Sequence, residues 1–149
     1  MGIKIVCKNK KAYFNYSIKE KFEAGIELRG TEVKSIRLGK ININDSYVKI
    51  DENNEAYIIN MNIAHYEFGN INNHEETRKR KLLLHKKEIK ELSHQVMTQR
   101  ITIVPISVYF KDSTVKIEIA IAQGKKLHDK REDSKKAEVN RRLQKGQFD

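Results

Sequence analysis

The sequence predicts a mainly β protein: a small antiparallel OB-like barrel of about six strands with two or three helices and a basic C-terminal tail. Three observations predict it. Short runs of alternating apolar and polar residues, the period of a half-buried strand, recur up to Gly124. Only two or three stretches carry helical spacing, too few to bridge successive parallel strands, so a βαβ winding is excluded. The last alternating run, Val115 to Ala122, stops at Gly124, and beyond it nine Lys/Arg and five Asp/Glu accompany only Leu127, Val139 and Leu143 as larger aliphatics. That segment cannot bury a core. The chain therefore divides into a body, 1–124, and a tail, 125–149, disordered alone and helical on a polyanionic partner. Barrel closure removes open sheet edges and leaves one face for nucleic acid.

Taken in order, residues 1–11 form a basic lead-in, and Ala12 to Ile18 suits a strand. Phe22 to Leu28 is a second strand whose Gly25 signals a bulge or a close backbone approach. Gly30-Thr31 opens a short helix with Thr31 as the candidate cap, and Gly39 closes it in a left-handed conformation. Ser46 to Ile50 is a strand, residues 51–54 a turn, and Tyr57, Ile59, Met61 and Ile63 the core face of the next strand. Residues 67–77 read as a polar loop. Ile89, Leu92 and Val96 mark a helix over 86–97. The strand over 100–111 switches phase near Pro105, which predicts a bulge, and Asp112-Ser113 turns it into the strand from Val115.

Composition narrows the function classes. The net charge of +10 favours polyanions, nucleic acid or an acidic membrane. No apolar run approaches the ~18 residues of a membrane span. The N-terminus lacks the apolar stretch of a signal peptide, and Val6 stands where a myristoylation signal needs Ser or Thr. Cys7 is the single cysteine. These features point to a cytoplasmic protein. No phosphate-binding loop, nucleophile elbow or close metal-ligand pair is present; His65, His74, His85, His94 and His128 read as surface or barrel-rim residues. The expectation is a binding protein, not an enzyme, with no cofactor and no metal. A generic OB-type RNA chaperone or ribosomal protein, and a metal-independent ribonuclease, are the alternative readings.

The basic residues cluster. Between 78 and 90 there are seven Lys/Arg against one Glu, among them Arg78, Arg80 and Lys81. Such an unopposed run lacks the alternating signs of a salt-bridged face and predicts phosphate contact. Lys34 and Arg37 decorate the first helix. Tyr13, Phe14, Tyr16, Tyr47 and Tyr66 lie among basic stretches, where a surface ring could stack on an unpaired base. Glu23 reads either as a charge partner for Arg29 or a nearby lysine, or as an acceptor for base or ribose donors. Asn9 reads as an ordinary loop residue or as a base-edge contact.

Residues 23–40 (Glu-Ala-Gly-Ile-Glu-Leu-Arg-Gly-Thr-Glu-Val-Lys-Ser-Ile-Arg-Leu-Gly-Lys), Asp45-Ser46-Tyr47, residues 73–84 (Asn-His-Glu-Glu-Thr-Arg-Lys-Arg-Lys-Leu-Leu-Leu) and residues 124–131 (Gly-Lys-Lys-Leu-His-Asp-Lys-Arg) resemble the bacterial SsrA-binding (SmpB) family, as does Asn9-Lys10-Lys11-Ala12. The resemblance implies binding to the tRNA-like domain of tmRNA, delivery to stalled ribosomes, and a tail that enters the decoding centre and vacant mRNA path. A complex with elongation factor Tu and aminoacylated tmRNA is implied too. By motif, Asn9, Glu23, Leu83 and Lys116 match RNA-binding positions. Gly124 and His128 match the decoding-centre junction, and Lys125, Lys126, Asp129, Lys130 and Arg131 belong to the same tail segment.

Overall fold

The computed structural model describes residues 2–68, 73–97 and 101–124. Nine strands and three helices occupy them: β1 (Ile3–Lys8), α1 (Lys10–Asn15), β2 (Tyr16–Ile26), α2 (Gly30–Arg37), β3 (Ile41–Asn42), β4 (Tyr47–Ile50), β5 (Ala56–Ile59), β6 (Asn62–Ile63), β7 (Arg80–Leu83), α3 (Lys86–Val96), β8 (Ile101–Lys111) and β9 (Thr114–Gly124). Six strands close on themselves in the order β8-β4-β5-β7-β2-β9, because β9 also pairs with β8. Every pairing is antiparallel. The mainly β class with about six ring strands and three helices is thus as the sequence predicts. The seam between β4 and β8 is narrow, a single Val48–Ile103 pairing. Further along the same edge of β8, β1 pairs with Ser107–Lys111. The small β3–β6 pair forms a separate sheet.

Inward-facing Phe22, Ala24, Val48, Ile58, Leu82, Ile103, Val108, Ile117 and Ile119 form one core, into which α2 inserts Ile36 and α3 inserts Leu92. Each buried aliphatic side chain is worth about 1.5–3 kcal/mol. α3 is where the apolar spacing places it, with Ile89 and Leu92 buried. The phase switch near Pro105 is a bulge: the β8–β9 register shifts between Pro105 and Ser107. Asp112 takes φ 57° and Gly39 φ 75°, the left-handed backbone of the hairpin turn and of the α2 terminus.

Several local expectations are corrected. The lead-in contains β1, which its many exposed positions disguise. Residues 12–18 do not form one strand. Asn9 accepts from the Ala12 N–H at 3.0 Å and starts α1, so the strand begins only at Tyr16. Thr31 does not cap α2; its hydroxyl meets His74 Nδ1 at 2.9 Å. His74 is itself buried, with Nε2 on the Ile63 carbonyl at 2.8 Å, and is not a surface or rim residue. In the 57–63 stretch the core face changes phase. Ala56 and Ile58 are inside, then Met61 and Ile63, because Asn60 at φ 63° breaks the alternation. Gly25 makes a close approach, its would-be Cβ lying 3.2 Å from Leu83 Cβ, while the β2 bulge falls between Ile18 and Lys21.

One buried ion network ties the helices to the ring. Glu32 on α2 is completely buried and accepts from the Arg29 N–H at 2.7 Å and from Arg78 Nη2 at 2.5 Å. Arg80, also completely buried, donates Nε to the other Glu32 oxygen. Its Nη1 reaches the Met61 carbonyl at 2.7 Å and its Nη2 the Glu76 carbonyl at 3.0 Å. Burial alone raises a carboxyl pKa; here Arg78, the Arg29 amide and Arg80 outweigh it and hold Glu32 below its ordinary value.

Glu32→Gln leaves Arg80 buried without a counter-charge and is expected to cost about 3–5 kcal/mol in urea unfolding at neutral pH. Because the folded pKa is depressed, the ionised pair contributes fully above the ordinary carboxylate range. Its contribution disappears as pH falls through the folded value. The stability gap between wild type and variant should therefore narrow in acid.

Candidate nucleic-acid interface

Strand register decides which side chains share the outer face. Ile5 on β1 pairs with Tyr109, Tyr109 with Lys116, Lys116 with Gly25, and Gly25 with Leu83. One row thus crosses five strands, β1-β8-β9-β2-β7. The next outward row runs Lys8, Ser107, Glu118, Glu23. Between them the inward row holds Val108, Ile117 and Ala24, all buried. Residues separated by up to 93 positions in sequence, Glu23, Leu83 and Lys116, are brought together in this way.

Gly25 makes the face concave. With no side chain between Lys116 and Leu83, a trough of about 630 Å³ runs past Glu23, Leu83, Lys81, Lys86 and Lys116. Leu83 is 49 % exposed, an apolar contact held out on a lysine-edged face. Glu23 is fixed from the β8 side: the Tyr109 hydroxyl donates to Oε2, and Lys111 Nζ lies 3.4 Å from Oε1. Tyr109 above all, with Lys111 and Lys116, keeps the Glu23 pKa below the ordinary carboxylate value against the opposing effect of burial. The carboxylate also raises the Tyr109 pKa, after burial itself, so the tyrosine remains a donor. The lysine partner is Lys111, not Arg29.

The other expected residues divide. Arg80 cannot meet phosphate: it lies wholly inside, on Glu32 and three segments of backbone carbonyls. The sequence showed an unopposed cationic run because its acid stands 48 positions upstream in sequence. Arg78 is half withdrawn by the same carboxylate. Lys81 lines the trough while 3.5 Å from Glu55. Asn9 is buried and offers no base edge; its Nδ2 braces the Pro105 carbonyl at 2.9 Å and that of Ile43 at 3.2 Å. Lys34 and Arg37 are exposed, with their cations over the Tyr66 and Phe110 rings at 5.3 and 5.6 Å. Arg37 lines a separate concavity of about 510 Å³ with Lys4, away from the trough. Gly124 ends β9 opposite Tyr16. Lys125, Lys126, His128, Asp129, Lys130 and Arg131 lie outside the described residues, as does the tail expectation. Tyr13, Phe14 and Tyr47 are exposed.

Tyr109 and Glu32 escaped the sequence reading. Tyr109 was hidden because its partner, Glu23, lies 86 positions away in sequence. Glu32 sits in a helix whose bases, Lys34 and Arg37, look equally solvated in the sequence. Among the described residues no cluster of three or more metal-ligating side chains occurs, and no helix is long and apolar enough to cross a membrane.

Fold and face together define a small basic protein built on a closed antiparallel β ring with a charged, concave outer surface. The SmpB protein family model matches residues 6–147, and the chain belongs to that family. It is 55 % identical over 141 residues to the SsrA-binding protein of Geotalea uraniireducens, covering 95 % of this chain and 93 % of that one. The SsrA-binding proteins of Pelobacter propionicus and Thermosipho africanus are 54 % and 52 % identical, over 96 % and 95 % of this chain and 93 % and 95 % of theirs. A solved chain from the study "tmRNA-SmpB: a journey to the center of the bacterial ribosome" superposes with a TM-score of 0.69 at 43 % identity, covering 81 % of this chain and 85 % of that one.

Tyr109→Phe removes the strongest contact that keeps Glu23 ionised. Carboxyl NMR titration should show the Glu23 pKa rising toward its ordinary value; an unchanged pKa would mean that the lysines alone hold it.

Proposed function

We propose that this chain binds the tRNA-like domain of tmRNA and carries it to stalled ribosomes in trans-translation, where the nascent peptide is tagged and the ribosome released. The observation that carries this reading is the near full-length similarity to SsrA-binding proteins, coupled with an outer face on which Glu23, Leu83 and Lys116 converge. The work is non-covalent. The ring grips a folded RNA elbow by shape, lysine–phosphate attraction and a few contacts from Glu23 and Leu83. Glu23, kept ionised by Tyr109, is an acceptor for base or ribose donors. Lys34 and Arg37 add phosphate contacts from α2. Residues 125–149 act as a probe: Gly124 is the joint, and Lys125, Lys126, His128, Asp129, Lys130 and Arg131 enter the decoding centre and the mRNA channel left empty on a stalled ribosome. A channel filled by mRNA excludes the probe and so protects translating ribosomes. Elongation factor Tu joins the complex through aminoacylated tmRNA. The setting is the cytoplasm, and no bond is made or broken by the protein.

Truncation after Gly124 should retain affinity for tmRNA in a filter-binding assay and abolish peptide tagging on stalled ribosomes; loss of RNA binding would refute the division of labour. Glu23→Ala should weaken tmRNA binding while leaving thermal unfolding within a few degrees of wild type. Lys116→Ala should lower affinity and reduce the slope of log K against log salt by about 1.

A further inference from the structure

A second concavity, of about 550 Å³, lies on the β1 side of Glu23. Its apolar walls are Ile3, Ile5 and Tyr13, which are 60, 50 and 45 % exposed. Three large, partly exposed apolar side chains around one hollow make a patch of the kind that marks an interaction site. Lys8, Lys10 and Lys21 stand around the hollow, and all three are exposed. Lys21 Nζ lies 5.8 Å from the centre of the Tyr13 ring. Glu23 and Glu118 are direct cross-strand partners within it. A flat ring, an anionic group and hydrogen-bond donors are the three things this lining complements, and one ribonucleotide supplies all three.

The two carboxylates are not equivalent. Both oxygens of Glu23 are engaged, by Tyr109 and by Lys111. The Glu118 carboxylate is half-buried and accepts no side-chain hydrogen bond from another described residue, while the Lys21 ammonium, itself hydrogen-bonded to Tyr13, lies within reach of its charge. Like charges directly opposed across strands are unfavourable, and a donor-rich ligand between them relieves the repulsion. A carboxylate with two open oxygens pairs best with two adjacent N–H donors on one edge. Among the four RNA bases only guanine presents that pair, N1–H beside the exocyclic amino group. Adenine and cytosine offer an amino group next to an acceptor, and uracil a single N–H between two carbonyls.

We propose that this hollow is a subsite for one unpaired guanine of the bound RNA. The base lies against Tyr13 and Ile5, its Watson–Crick edge is read by Glu118, and its phosphates are held by Lys8, Lys10 and Lys21. The subsite deepens the RNA-binding reading of the same outer face and rests on it. It also gives Glu118 a role that neither the trough nor the core requires.

The test uses the full chain and four fluorescein-labelled pentaribonucleotides, UUNUU, with N guanine, inosine, adenine or cytosine, in low salt. Wild type should prefer guanine over adenine and cytosine by about tenfold, the lower part of the range for a bidentate base contact. Inosine, which keeps N1–H and lacks the amino group, should fall between. Glu118→Gln should erase the preference without lowering the affinity for the adenine oligomer. Tyr13→Ala should weaken all four oligomers together. Equal binding of the four oligomers by wild type, or a guanine preference that survives in Glu118→Gln, overturns the subsite. Binding of the isolated tRNA-like domain of tmRNA by wild type is measured in parallel. If that domain binds while the oligomers are not distinguished, the subsite fails and the RNA-binding reading stands; if the domain itself does not bind, the reading fails with it. Circular dichroism melts of both variants, at positions on the outer face of the ring, confirm that they are folded.

Discussion

A carboxylate with no solvent exposure is tolerated only when its charge is met in full, and Glu32 is met from three sides: by Arg78, by Arg80 and by the Arg29 amide. The requirement runs in both directions. Arg80 is equally buried, and besides Glu32 it needs the carbonyls of Met61, Arg78, Glu75 and Glu76. The network therefore fixes α2 against β7, and fixes the chain around 75–78 against the end of β5–β6. Because β7 pairs with both β5 and β2, these charges hold in place the strands that carry Leu83 and Gly25. Replacement by apolar residues of similar volume could serve stability as well. The ion network instead specifies one docking angle for α2, since the fork of a guanidinium bonds a carboxylate in few geometries.

The same network redistributes charge on the surface. A run of basic residues in 78–90 suggests a uniformly cationic ridge. The fold turns Arg80 fully inward, neutralises Arg78 and pairs Lys81 with Glu55. Lys79 lies over the Tyr57 ring at 4.3 Å, and the exposed remainder is Lys86, Lys87 and Lys90 at the start of α3. The outer face is thus less a plane of positive charge than a patterned surface. Lysines stand at its margins, an ionised carboxylate and a leucine at its centre, and a glycine makes room between them. Phosphates are held by the margins; the centre can discriminate what lies between phosphates.

Much of the fold was legible because it rests on local periodicity. The α3 stripe, the hairpin of β8 and β9, the Pro105 bulge and the left-handed Gly39 all follow from spacing and backbone chemistry within a few residues. Failures came where a single residue overrides its neighbours. Asn9 converts a strand-like sequence into α1 by capping it, and Asn60 reverses the facing of a strand by taking a positive φ. β1 was hidden because both its faces carry exposed positions, so no alternation marks it. The site was legible in part. Glu23, Leu83 and Lys116 were singled out in the sequence and share one outer face, while Asn9 and Arg80 turn out to hold the structure together.

By itself the sequence determined the class of the fold, the number of ring strands, the excess of positive charge and the family. Each of these is carried by composition, by period or by an ordered motif, and none needs a distant partner. Only the tertiary structure decided which charges are available to a ligand. Burial and pairing are non-local: Glu32 and Arg80 lie 48 positions apart, and Tyr109 and Glu23 lie 86 apart. It also decided which residues share the outer face, because a row across five strands depends on every register between them. A shift of one residue in any strand would send its members to the core.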